Sequence, residues 1–195
     1  MMLAWLPAIL HAQDVQEITA DGEKAILSKP AIEAIGARNA DVIIVEYFDY
    51  NCPYCKKFAS TLRTLMAGDP KIAALYKDWP VLGDVSVYAA RSALAAQWQG
   101  KYLIAHDALL GGPRLSQNAQ VDSVLGRAGV DLGSLKRDRA RHAEEIDAEL
   151  ARIDSEADAL GIRGTPSILV GRLLVSGIVD AHDMQALIAQ VRQGK

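Results

Sequence analysis

The sequence predicts an α/β protein whose strands and flanking helices are interrupted by one long helical block. Three observations predict it. The apolar, largely β-branched run Val42-Ile43-Ile44-Val45 leads through Phe48-Asp49-Tyr50-Asn51 into Cys52-Pro53-Tyr54-Cys55, a turn that opens a helix. Residues 84–160 read as helical throughout. Gly164-Thr165-Pro166 then introduces two short apolar runs separated by Gly171-Arg172, and a last amphipathic stretch follows.

Half of the 195 residues are hydrophobic and 23% are charged, a balance that lets one domain bury a full core. The net charge of −3 argues against a nucleic-acid partner, whose electrostatic footprint is basic. One basic cluster, Lys136 to Arg141, reads as a solvated helix face, because acidic residues follow at once from Glu144.

Taken in order, Met1 to Ala12 is apolar, with Leu3, Trp5, Leu6, Ile9 and Leu10, and is too short to span a bilayer, which takes ~20 residues. It resembles the end of a secretory signal peptide with cleavage after Ala12, so export to the periplasm is expected. The alternative is an apolar segment packed on the domain. Residues 13–40 are weakly patterned, with turn signals at Asp21-Gly22 and Lys29-Pro30, and are expected to form an extended arm or short strand. The main domain is expected over 41–195, with the helical block inserted at about 84–160.

Val42 to Phe48 reads as a buried strand. Pro53 suits the first turn of a helix running to about Ala67, before Gly68-Asp69-Pro70. Ile72 to Tyr76 is a second strand. Within the block, helices are expected over Ser86 to Gln99, Lys101 to Leu110, Ser116 to Arg127 with a serine cap, and Leu132 to Leu160. The last carries an apolar stripe of Ile146, Leu150, Ile153, Ala157 and Leu160, as a helix packed on its own domain would. Ser167 to Val170 and Leu173 to Ser176 form a hairpin about Gly171, and Asp180 caps the final helix.

Both cysteines of the chain lie in the Cys-x-x-Cys turn. A bridge closing so small a loop constrains the unfolded chain little, so the pair is better suited to chemistry than to stapling. The thiolate is the nucleophile in disulfide exchange, and Cys52 at a helix N-terminus is placed to ionise. The helix dipole alone, worth ~0.3–1 kcal/mol, cannot supply the roughly 2–7 kcal/mol that a strongly acidified thiol needs. Hydrogen bonds from the amides of Tyr54 and Cys55 must provide the rest, so Pro53 and Tyr54 are expected to tune the redox potential. Cys55, one turn further on, would resolve the mixed disulfide formed by Cys52. Glu46, a carboxylate in an apolar strand, is the candidate base for Cys55, the alternative being an exposed strand-end glutamate. Asp49 is expected in a solvent-exposed turn. A zinc site is not expected, because His11, His106, His142 and His182 show no ligand spacing, and His106 and His182 read as surface or helix-terminal residues.

The stretch Val45 to Phe58, with Asp69-Pro70-Lys71, Trp79-Pro80-Val81-Leu82-Gly83 and Leu160 to Pro166, resembles the DsbA-like branch of the thioredoxin superfamily, nearest its ScsC-type periplasmic proteins. The resemblance covers roughly residues 41–180. It implies a thioredoxin fold with a helical insertion, and a cis Pro166 facing the dithiol. It further implies that Thr165 offers backbone groups to an extended client peptide, and that Glu46 is the buried acid of the family. Two departures stand out: DsbA itself carries histidine where Tyr54 stands and valine where Thr165 stands, while threonine before the proline is the choice of disulfide isomerases.

The expected function is therefore thiol–disulfide exchange with unfolded or mis-oxidised client proteins. Oxidation is the favoured direction, and isomerase or reductase activity is the alternative. A membrane redox partner would reset the pair. No cofactor beyond the Cys52–Cys55 disulfide is expected, although two thiolates are also soft ligands suited to Cu(I). A cytosolic glutaredoxin-like reductase is a third reading, disfavoured by the leader and the insertion. With no sustained heptads over 13–40, a monomer is expected.

Overall fold

The computed structural model describes residues 15–28, 32 and 34–194. The expected signal peptide and the Lys29-Pro30 turn lie outside the described residues. The elements are β1 (Gln16–Glu17), α1 (Ala20–Leu27), β2 (Ile35–Gly36), β3 (Val42–Phe48), α2 (Pro53–Gly68), β4 (Ile72–Asp78), α3 (Asp84–Ala95), α4 (Tyr102–Gly111), α5 (Asn118–Arg127), α6 (Leu132–Arg141), α7 (Ala143–Ala159), β5 (Ser167–Val170), β6 (Leu173–Ser176) and α8 (Ala181–Gln193). A short 3₁₀ turn, Ala96–Gln99, links α3 to α4.

The sheet runs β1-β6-β5-β3-β4-β2. β3 and β4 are parallel and joined through α2, whereas β5 and β6 form an antiparallel hairpin beside β3. β3 sits at the centre, and six of its seven residues are buried. That burial on both faces is why its apolar run is continuous rather than alternating. One face packs Val42, Ile44, Ala74 and Ile168 against Phe58 and Leu62 of α2 and Met184, Leu187 and Ile188 of α8. The opposite face packs Val45, Tyr47, Leu75 and Leu169 against Ile26 of α1 and Ile153 and Ala157 of α7. Beyond the C-terminal end of β3, Phe48, Tyr50, Cys52 and Cys55 join a third cluster made with α3 to α6.

Several boundaries differ from the sequence reading. The segment 13–40 holds the short strands β1 and β2, in line with an expected arm or short strand, but also an unexpected helix, α1: Thr19 caps it, its hydroxyl accepting the Gly22 amide at 3.1 Å, so Asp21-Gly22 belongs to a first turn. The expected single helix 132–160 is two helices broken at His142, whose ring stacks on Trp98 at 3.8 Å between centroids. Ser116 does not cap α5; it hydrogen-bonds Gln120 through its amide and hydroxyl, and α5 begins two residues later. Gly171 adopts φ +56°, as a two-residue hairpin turn requires of its glycine. Asp180 caps α8 as expected, accepting the Asp183 amide at 2.9 Å.

Lys77 of β4 is buried to 1% exposure yet paired. Its ammonium meets Glu156 of α7 at 3.0 Å and donates to the Ile26 carbonyl at 3.1 Å. It thereby ties α1, β4 and α7 together beneath the sheet.

Candidate active site

β3 ends at Phe48, and four residues later Cys52 takes extended backbone angles (φ −72°, ψ 117°) as the N-cap of α2. Pro53 follows at the first helical position, where its missing N–H costs nothing. The Cys52 sulfur thus faces the free amides of the first turn. It accepts the Cys55 amide at 3.2 Å, and as a thiol it donates to the Thr165 carbonyl at 3.2 Å. Both cysteines are free thiols.

These contacts split the two thiols. Cys52 is lowered to about 6, first because the Cys55 thiol donates to its sulfur. The Thr165 side chain and the amides of Cys55 and Tyr54 add to this, against the opposing effect of burial. Cys55 is pushed far up, first by burial and then because its thiol donates to the Cys52 sulfur, with the Glu46 carboxylate adding repulsion. The pair therefore shares one proton, held by the deeper sulfur, and presents the outer one as thiolate. Tyr54 is half-exposed beside it, at 52%, with Val81 and Leu82 also exposed.

Glu46 is fully buried, and neither carboxylate oxygen has a hydrogen-bond partner among the described residues. Burial foremost, and then the Cys52 thiolate charge, push it up to about 8. A carboxyl titrating there is neutral much of the time at physiological pH and can exchange a proton with a thiol. The exposed strand-end alternative for Glu46 is not what the structure shows.

The Thr165-Pro166 bond is cis. It brings the Thr165 carbonyl onto the Cys52 sulfur from the loop before β5, 113 residues away in the chain.

Two residues depart from expectation. Asp49 is buried to 1% exposure rather than exposed: its carboxylate accepts the Asn51 amide at 2.7 Å, the Ser86 hydroxyl at 2.7 Å and the Leu82 amide at 2.9 Å. His106 is not a surface residue. It is buried in α4 among Phe48, Tyr50, Tyr76 and Tyr102, and burial lowers it to about 3, so it is neutral. A third buried carboxyl, Asp78, accepts the hydroxyl of Tyr102 at 2.6 Å and is raised to about 7, chiefly by burial. Sequence reasoning missed both, along with Asn51 and Lys56. Their roles depend on partners in the helical block, and no local pattern signals those.

A redox-poised Cys-x-x-Cys at a helix N-terminus, a buried carboxyl beneath it and a cis-proline across from it define a thioredoxin-fold dithiol protein of the DsbA-like type. The comparisons agree. The family model described as Thioredoxin matches residues 29–190, and the chain belongs to that family. Its structure is similar to a thioredoxin-like oxidoreductase from Silicibacter pomeroyi DSS-3, with TM-score 0.82, 36% identity, and coverage of 87% of this chain and 97% of that one. It is also similar to the thiol-disulfide exchange protein alpha-DsbA2 from Wolbachia pipientis (TM-score 0.76, 26% identity, 90% and 91% covered). A periplasmic thioredoxin-like protein from Salmonella enterica serovar Typhimurium is a further neighbour (TM-score 0.73, 25% identity, 90% and 98% covered). Among curated sequences, the chain is 31% identical over 165 residues to a Na(+)/H(+) antiporter NhaA from Salinispora tropica, covering 80% of this chain. It spans about a quarter of that relative's length, 24%.

Proposed function

We propose that the protein is an extracytoplasmic thiol–disulfide oxidoreductase that passes its Cys52–Cys55 disulfide to client proteins. One observation carries the direction: the Cys52 sulfur caps α2 and accepts the Cys55 amide at 3.2 Å, an arrangement that favours its thiolate, and stabilising the reduced form makes the disulfide more oxidising.

A client thiolate attacks the Cys52 sulfur of the disulfide, forming a client–Cys52 bond and releasing Cys55 as thiolate. Glu46, protonated below about 8, gives Cys55 its proton. A second client thiolate then attacks the client sulfur and expels Cys52, which leaves readily as a stabilised thiolate. Two electrons have moved from the client dithiol to the cysteine pair. Thr165, whose carbonyl lies on Cys52, supplies the backbone edge along which an extended client would lie. A membrane redox partner returns the pair to the disulfide, and the protein works as a monomer.

Threonine before the cis proline supports a second reading, disulfide isomerase or reductase. The reduction potential of the pair, from equilibration in graded glutathione buffers, separates the two. A value near about −120 mV supports donation to clients, and a value near about −270 mV overturns it in favour of a reductant or isomerase.

A further inference from the structure

The dithiol is built on the thioredoxin framework, but the side chains flanking it reach into the helical block. Asn51, directly before Cys52, makes a reciprocal pair of bonds with the backbone of Leu115 in the loop between α4 and α5. Its Nδ2 donates to the Leu115 carbonyl at 3.1 Å, and its Oδ1 accepts the Leu115 amide at 2.8 Å. A side-chain amide suits this role because it donates and accepts side by side; a carboxylate only accepts.

Lys56, directly after Cys55, closes the first turn of α2, its backbone amide donating to the Cys52 carbonyl at 3.1 Å. Its ammonium donates to three carbonyls at the end of α4: Leu109 at 2.7 Å, Gly112 at 3.1 Å and Leu110 at 3.4 Å. These are the unsatisfied carbonyls of a helix C-terminus, where a cation is favoured. Asp49 adds a third tie, through Leu82 and Ser86 at the start of α3. The turn carrying Cys52 is thus gripped on both sides by the segment 109–116.

We propose that Asn51 and Lys56 are positioning residues, which make the segment 109–116 of the helical block a strut that holds the Cys52 sulfur in register with the first-turn amides and Thr165. The strut matters because the sulfur's contacts are at 3.2 Å and weaken steeply once geometry loosens. Burial lowers Lys56, and the charges of Cys55, Asp49 and Cys52 oppose that.

The proposal deepens the oxidoreductase reading but is tested without any client. In the full chain, Asn51→Ala and Lys56→Met are reduced and the Cys52 thiolate is titrated by its ultraviolet absorbance, with melting recorded in parallel. Each variant is expected to move the midpoint up from about 6. A move of one pH unit cuts the thiolate fraction at pH 6 about fivefold. Leu135→Ala in the buried core of α6 serves as control, expected to lower the melting temperature and leave the midpoint in place. Earlier melting in Asn51→Ala and Lys56→Met with a wild-type midpoint overturns the proposal, since the two residues would then only stabilise the fold. Lys56→Met also removes a cation beside the thiols, so should Asn51→Ala not fold, Asn51→Gln decides: it adds no charge and keeps the amide but displaces it from Leu115, and a wild-type midpoint in it overturns the proposal. The function reading fails separately, through loss of client turnover with an intact titration.

Discussion

Replacing Glu46 by glutamine removes a buried titrating group and keeps its shape. In the folded protein this carboxyl is raised to about 8 from an ordinary value of 4.5, so between those pH values the native state holds a proton that the unfolded chain has released. Native protons in excess mean that stability falls as pH rises through that window, and the stabilisation is fully present only below it. From pH 5 to pH 9 the folded carboxyl stays protonated over about three units, which at ~1.36 kcal/mol each is about 4 kcal/mol. That is a large part of a typical stability of ~5–15 kcal/mol. Asp78, raised to about 7, contributes in the same direction, and Cys52, lowered to about 6, contributes in the opposite one. Both remain in Glu46→Gln and largely drop out of the difference between the two proteins. The assay is urea denaturation of reduced wild type and Glu46→Gln at pH 5, 7 and 9. The wild type should lose about 4 kcal/mol relative to the variant across that range. Parallel curves, differing by under ~1 kcal/mol in their total change, refute the assignment of Glu46 as a buried high-pKa carboxyl.

Cys52→Ser should abolish disulfide transfer, whereas Cys55→Ser should accumulate client–Cys52 adducts on non-reducing gels; equal activity in both would sink the division of roles. Lys77→Met leaves the Ile26 carbonyl without its donor and Glu156 short of one cation, though Arg152 still reaches Glu156. The expected cost by chemical denaturation is about 2–4 kcal/mol, and a loss under ~1 kcal/mol would show that the pair is not holding α1 and α7 to the sheet. Gly36→Ala should cost about 2 kcal/mol or more in the same measurement. Its φ is +112°, and an added Cβ would lie 2.8 Å from the Ile72 carbonyl oxygen. A neutral result would mean that β2 does not hold its place on β4.

What the sequence discloses follows the range of the interactions concerned. β3, the helix opened by Pro53, the glycine turn and the Asp180 cap are each decided within a few residues, and each was readable. Asp49 was misread because its partners, Leu82 and Ser86, lie 33 and 37 residues on. Local polarity suggested a wet turn, and the fold brings donors to it instead. His106 was placed at the surface for the same reason; its cage of Phe48, Tyr50, Tyr76 and Tyr102 is assembled only when α4 docks on the sheet. The break at His142 did leave a trace. Arg139 and Arg141 end α6 and Glu144 and Glu145 begin α7, the charge order that favours one helix stopping and another starting. That reversal is equally compatible with a solvated face, and the continuous apolar stripe runs across the boundary. Thr19 with Asp21 and Glu23 was likewise a helix-start signal overlooked in favour of a glycine turn.

The sheet itself has a bearing on the company this protein is proposed to keep. Among the described residues, its outermost strands, β1 and β2, contribute two residues each. A long bare edge is a template on which an extended chain can add another strand, and runaway pairing of that kind leads to aggregates. On the proposed function, the protein would meet such chains as its clients. Margins this short, one of them carrying the Glu17–Arg172 ion pair, leave little ladder to copy.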